Sequence, residues 1–501
     1  MSAGFVAVAP GGRGFERDGR PFVPWGLNYD RSYHRGADVL LEELLERDPA
    51  KLDADFAQAR ASGANTIRLF LQHARYQPQP GRIEARALEG LDVAVAAARR
   101  HGLLVDLTGL SHIDTSAPAT WYATASDEEI LAAEAHFWEA LARHFAEEPA
   151  IFCFNLQNEP TVNWQDSRLI TTGYFAMPDG RRFSYVNSHL KEVRAAWGEW
   201  VRGRYAGPGA LARAWADFPT PVEDWEHVEP PQGERRGDPR LLDFQAFRED
   251  YAERWTRTLV TAIRRHDRRH LITIGLLPSS VPLIGPARQY SGFAPGRVAP
   301  YLDFLAIHLY PQRAAPPGEV LGANLAHHEL VLLALLAGGG GKPVVVEEWF
   351  ALGEGLRQGH ISWGGWFDAF LACSRPLASG WVSFYHALLN DRPGAAVPPA
   401  YQEWLERFRA TGRAVEAGDF PGPRSGDQGR DQGREPAGGA DFVLDGPALL
   451  TSGAARAEAL EAYGALRGGP PRRGAPRGQG QRPPGVRWAG VEPRGPGSGR
   501  E

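Results

Sequence analysis

Short apolar runs of β character alternate with amphipathic stretches of helical period through most of the chain. Eight runs predict strands: 22–28 (FVPWGLN), 64–70 (ANTIRLF), 102–109 (GLLVDLTG), 150–157 (AIFCFNLQ), 270–277 (HLITIGLL), 302–310 (LDFLAIHLY), 342–349 (KPVVVEEW) and 380–387 (GWVSFYHA). Between them apolar residues recur at three- and four-residue spacing, as in ALEGLDVAVAAARRHG and DEEILAAEAHFWEALARHFAEE, which predicts helices. Eight strands alternating with helices predict an α/β fold, a (β/α)8 TIM barrel. A doubly wound open sheet would give the same alternation, but no Gly-rich phosphate loop follows the first run.

The longest interruption lies between the fourth and fifth strands, over 161–239, and carries Trp164, Tyr174, Trp197, Trp200, Trp215 and Trp225. Loops after strands build the active face of such barrels, so this insertion is expected either to wall the cleft or to pack as an outer subdomain. After about Arg413 the pattern stops. GPRSGDQGRDQGREPAGG and GGPPRRGAPRGQGQRPPG are rich in Gly, Pro and Arg and poor in large apolar residues, so too little surface can be buried to offset ordering entropy. The expected division is a barrel over 1–412 and a mostly disordered tail over 413–501, with at most a short helix near 454–466.

Composition narrows the class. The hydrophobic share is 43%, the charged share is 23%, and a formal charge of −5 gives no electrostatic reason to expect a nucleic acid or an anionic membrane as partner. Cys153 and Cys373 sit in apolar stretches and read as buried thiols, not as a disulfide or metal site. The first residues lack a basic, apolar leader, and the run LVLLALLA at 330–337 is far shorter than a bilayer span, so a soluble cytoplasmic protein is expected. No metal or cofactor is expected.

Every strand of a barrel ends at one mouth, so reactive groups are sought at strand ends. Glu159 closes the fourth strand, and Glu347 and Glu348 close the seventh. Alternation places Val344, Val346 and Glu348 on one face and Val345 and Glu347 on the other, so one glutamate should enter the mouth while its neighbour turns toward the helices. Two carboxylates from opposite strand ends suit glycoside hydrolysis, one protonating the leaving oxygen and one attacking the anomeric carbon. Arg68 shares parity with Thr66 and Phe70 and needs an inward anion. His308 and Tyr310, two apart, can hold a carboxylate together.

NLQNEP, TIRLF, IHLYP and VVVEEWF together resemble glycoside hydrolase family 5, of the large clan A of retaining (β/α)8 glycosidases, over roughly 22–408. The resemblance implies Glu159 as acid/base, Glu348 as nucleophile and Asn158 as ligand of the sugar 2-hydroxyl. It implies Arg68, His308 and Tyr310 as their supports, and a β-linked glucan, mannan or derived oligosaccharide as substrate. Two departures stand out. The third strand has Thr108 where the family usually places a His, with His112 four residues later, expected to swing into the mouth and bind substrate. The eighth begins with Trp381 and ends near His386, so Tyr385, His386, Trp121 or Trp164 would have to floor the sugar subsite. A catalytically inactive carbohydrate-binding barrel is the alternative. A metal-dependent amidohydrolase would want His-x-His on the first strand, which FVPWGLN lacks.

Overall fold

A computed structural model describes residues 4–34, 37–111, 120–166, 174–176, 182–184, 188–215, 228–232, 238–282, 287–311, 318–350, 362–384 and 399–420. Eight strands close into a barrel: β1 Trp25–Tyr29, β2 Thr66–Gln72, β3 Leu104–Ser111, β4 Ile151–Asn158, β5 Leu271–Leu276, β6 Leu305–Leu309, β7 Val344–Trp349 and β8 Gly380–Ser383. Each pairs in parallel with its sequence neighbour, and β8 closes on β1. The barrel is the predicted fold, and the open sheet is excluded by the closure.

Helices form the outer layer, and their ends are fixed locally. Helix Asp127–Phe145 starts with a reciprocal capping box between Ser126 and Glu129. Asp48 and Asp238 cap helices Pro49–Ala61 and Pro239–Arg264, each opened by a proline whose missing N–H costs nothing there. Helix Val320–Gly338 is apolar and long enough by composition to cross a membrane, with a mean hydropathy of 1.6. It belongs to the barrel shell, where Val331, Leu332 and Leu335 are buried in the main core.

The barrel interior changes character along its axis. Near the base a hydrocarbon layer contains Leu104, Phe152, Leu271, Phe304, Ala306, Val345 and Val382, plugged from below by Val6 and Phe15 of the three-stranded sheet made by Val6–Val8, Phe15–Arg17 and Arg20–Phe22. Above it lie buried polar groups: Asn28, Arg68, Asp106, Thr108, Asn155, His308 and Glu347.

Within the insertion, the described tryptophans pack on one another. Trp197 stacks on Trp200 and Trp215, at 5.4 and 6.2 Å between ring centroids, and meets Phe244 edge-on at 5.3 Å. Trp164 packs on Phe244 and donates to the carbonyl of Pro231. These rings are a subdomain core and not a cleft wall. The side chain of Tyr174 and the whole of Trp225 lie outside the described residues.

Three expectations need correction. The boundary at 412 falls inside the last helix, Pro399–Ala417, and Phe420 beyond it packs on Trp25 and Trp381. Cys373 is half-buried, its thiol near the carbonyl of Leu325, because it lies toward the outside of a shell helix. Neither glutamate of β7 turns toward the helices. Ile307 of β6 is opposite Val346 but His308 is opposite Glu348, and on the other edge Val346 and Trp349 face Trp381 and Ser383. The strand therefore carries one extra residue, a β-bulge that resets alternation and leaves both Glu347 and Glu348 inside.

Candidate active site

At the close of β4 the chain turns through Glu159 with φ of 51°, a left-handed conformation uncommon for a residue with a β-carbon. The turn is tied down by the Glu159 amide, which donates to the carbonyl of Gly275 at 2.8 Å. Such strain persists where surrounding structure over-determines it, which is frequent at functional sites. Here it delivers the carboxylate to the mouth, where Oε1 meets His308 Nδ1 at 2.7 Å and the side chain remains 23% exposed.

Glu348 is held on both oxygens. Arg68 donates to Oε1 at 2.6 Å and the Tyr310 hydroxyl donates to Oε2 at 2.7 Å, while only 7% of the side chain is exposed. Arg68 is fully buried and spends its other donors on Asn28 Oδ1, Thr108 Oγ1 and Asn158 Oδ1, at 2.9, 2.8 and 2.9 Å. The Arg68 contact thus occupies the side-chain oxygen of Asn158. Burial pulls the guanidinium pKa down, but Glu347 and Glu348 beside it raise it overall.

His308 stands among three carboxylates. Its Nδ1 lies 2.7 Å from Glu159 and 3.5 Å from Glu348, and its Nε2 lies 3.4 Å from Glu347. Burial disfavours the charged ring, but Glu348, Glu159 and Glu347 push its pKa up to about 9. Below it, Asn155 donates to Glu347 Oε2 at 2.8 Å. Burial alone would raise the Glu347 carboxyl, but Arg68, His308 and a hydrogen bond from Asp106 bring it down to about 2. Asp106 moves the opposite way, raised well above the carboxylate range by burial and by the charge of Glu347, so the proton of this pair stays on Asp106. The Cys153 thiol, raised by burial and by these acids, donates to Asp106.

Of the residues expected from sequence, Glu159, Glu348, Arg68, Asn158, His308 and Tyr310 converge. His112, Tyr385 and His386 lie outside the described residues. Trp121 packs on Tyr122 and donates to the carbonyl of Gln77. Trp381 is buried in the outer shell, against Trp25 and Phe420. Sequence reading missed Asn28, Asp106, Asn155 and the inward Glu347. The signal was available for two of them: Asp106 and Asn155 are the first polar residues in strands that begin apolar, and Asp106 shares parity with Thr108.

One donor atom from each of Glu159, His308 and Glu348 lies within 4.8 Å of the others, a spacing that could hold a metal ion. The ring already contacts Glu159 through Nδ1 at 2.7 Å and Glu347 through Nε2 at 3.4 Å, so a metal on either nitrogen would displace a carboxylate contact.

A closed (β/α)8 barrel with glutamates at the ends of β4 and β7, braced by Arg, His and Tyr, defines the class of barrel glycoside hydrolases. The family model for β-galactosidase of glycoside hydrolase family 42 matches residues 129–349, and that for cellulase of glycosyl hydrolase family 5 matches residues 43–201. No curated protein sequence matches the chain. Among solved structures, the fold is similar to the cold-adapted β-galactosidase of Rahnella sp. R3, at 15% identity and TM-score 0.55, covering 78% of this chain and 57% of that one. It is also similar to the β-galactosidase of Marinomonas ef1, at 16% identity and TM-score 0.52, covering 74% and 59%. A third is the exo-β-1,4-mannosidase Op5Man5 of Opitutaceae bacterium strain TAV5, at 16% identity and TM-score 0.51, covering 83% and 63%. The chain thus spans about six-tenths of the length of these proteins. The chain is thus a barrel glycoside hydrolase, similar to family 42 over 129–349 and to family 5 over 43–201.

Proposed function

We propose that the protein is a retaining β-glycosidase working by double displacement. The observation that carries this reading is the approach of Glu159 and Glu348 across His308, with donor atoms within 4.8 Å. Retention places the two carboxyl groups about 5–5.5 Å apart, whereas inversion needs roughly 6.5–9.5 Å to admit a water. Arg68 and Tyr310 occupy Glu348 from both sides and fix its direction of attack. Glu159, more exposed, is reached by the leaving group and then by water.

In the first step the bond from the anomeric carbon to the leaving oxygen breaks as an oxygen of Glu348 bonds to that carbon, and the proton of Glu159 passes to the leaving group. In the second, Glu159 takes a proton from water, whose oxygen displaces Glu348. Asn158 offers its amide to the sugar 2-hydroxyl. The substrate class we propose is a β-linked mannoside, glucoside or galactoside, including short β-1,4-oligosaccharides. The mannosidase and β-galactosidase likenesses support both hexose types.

A panel of aryl β-glycosides, with the first-formed anomer read by proton NMR, tests the proposal. Retained β-anomer is expected. An α-product refutes double displacement, and sugar binding in calorimetry without product on any glycoside establishes a binding barrel instead.

A further inference from the structure

Beneath the two catalytic groups lies a second pair of acids, Asp106 and Glu347, that the reaction as proposed does not use. Both are buried, so no water screens them. Around Glu347 the elements contribute Asn28 from β1, whose amide holds the Glu347 carbonyl, and Arg68 from β2 at 3.3 Å. Asp106 comes from β3, Asn155 and Cys153 with the nearby Asn158 and Glu159 from β4, His308 and Tyr310 from β6 and its end, and Glu348 from β7 itself. The wall at β5 is Gly275, where a β-carbon would lie 3.0 Å from both Glu347 Oε2 and His308 Nε2, so the space holds nothing else.

We infer that Glu347, facing Nε2 of the ring whose Nδ1 faces Glu159, is a positioning residue that holds His308 protonated against Glu159 and so sets the pH window of catalysis. The inference rests on the retaining reading above. Its geometric core is the imidazole, with Glu159 on one nitrogen and Glu347 on the other. A neutral ring donates once, so only the protonated ring can donate to Glu347 and to an ionised Glu159 together. When Glu348 becomes bonded to sugar it loses its charge, and His308 loses one of its three acidic neighbours. Glu347 still balances the ring, so Nδ1–H continues to face Glu159 during the step in which Glu159 must act as a base.

The test is the pH profile of kcat/KM on an activated aryl β-glycoside for Glu347→Gln and Asp106→Asn. In Glu347→Gln the ring loses its proton at lower pH, which brings the alkaline limb down; at acid pH, with the ring still charged, the missing carboxylate leaves the site more positive and lowers the acid limb, so both limbs move to lower pH, by roughly one unit. Asp106→Asn leaves the limbs in place, whatever its turnover, because an amide donates to Glu347 as the protonated acid does. A uniform fall in kcat/KM with Glu347→Gln and no displaced limb overturns the inference, and so does displacement with Asp106→Asn alone. Nitrogen-15 NMR of the His308 ring in the unaltered protein needs no variant to fold. Both nitrogens are expected to carry protons at pH 7, and a neutral ring there overturns the inference. Persisting turnover in Glu348→Ala would instead refute the retaining reading and leave the NMR result standing.

Discussion

Glu159 combines a left-handed backbone with a carboxylate bonded to His308, and both features follow from its position immediately beyond β4. Its substitution by Ala removes proton transfer without opening the core, so turnover should fall by about 10²–10⁴-fold, with the smallest loss on leaving groups that need no proton. Azide should restore rate and give a β-glycosyl azide. Glu348→Ala should lose turnover on every substrate, and azide there should give the α-azide. Tyr310→Phe removes one hydrogen bond to an ionised acceptor, about 1.5–3 kcal/mol, and is expected to lower kcat/KM roughly ten- to a hundredfold. Equal kcat/KM in Tyr310→Phe would mean that the hydroxyl does not orient the nucleophile.

At the scale of elements, the eight strands and their order were legible because buried parallel strands read as short apolar runs, and because each ends on polar residues such as Asn158 or His308. Parity worked where the ladder is regular. Arg68 shares the interior face with Phe70, over whose ring its guanidinium lies at 4.5 Å. It failed at β7, since one extra residue reverses facing from that point on and leaves no mark in VVVEEW. The insertion misled in another way: its aromatics resemble sugar platforms in sequence, yet Trp197 finds its partners within the insertion and on the following helix. Trp197→Ala should cost about 3–5 kcal/mol of stability, seen as a lowered melting temperature. Gly275→Ala puts a methyl against Glu347, His308 and Arg68, so activity should collapse while the circular dichroism spectrum persists. Normal kcat/KM in that variant would show that the polar layer can move aside.

For the whole molecule, buried ionisation links stability to pH. His308 has its pKa raised to about 9 from the ordinary 6.5, so its contribution is complete below 6.5 and is lost as pH rises through about 9. Glu347 is lowered to about 2 from 4.5, so its contribution is complete above 4.5 and is lost as pH falls toward 2. Glu134, raised to about 7 chiefly by burial, works against stability as pH climbs from 4.5 to 7. Asp106, also raised by burial, works in the same direction, so the melting temperature should be highest near pH 4.5, fall above it and fall more steeply above 6.5, and His308→Asn should flatten that steeper decline. An unchanged decline in that variant would assign it to other groups.

The ring of Phe420 rests on Trp25 and Trp381, residues at the start of β1 and near the start of β8, so the last described residue lies on the side remote from Glu159 and Glu348. A bead or electrode linked to the polypeptide just past that ring would sit behind the enzyme, with the carboxylates facing the bulk solution. Immobilised in that orientation, the protein should hydrolyse glycosides as fast as it does when free, until diffusion through the support becomes limiting.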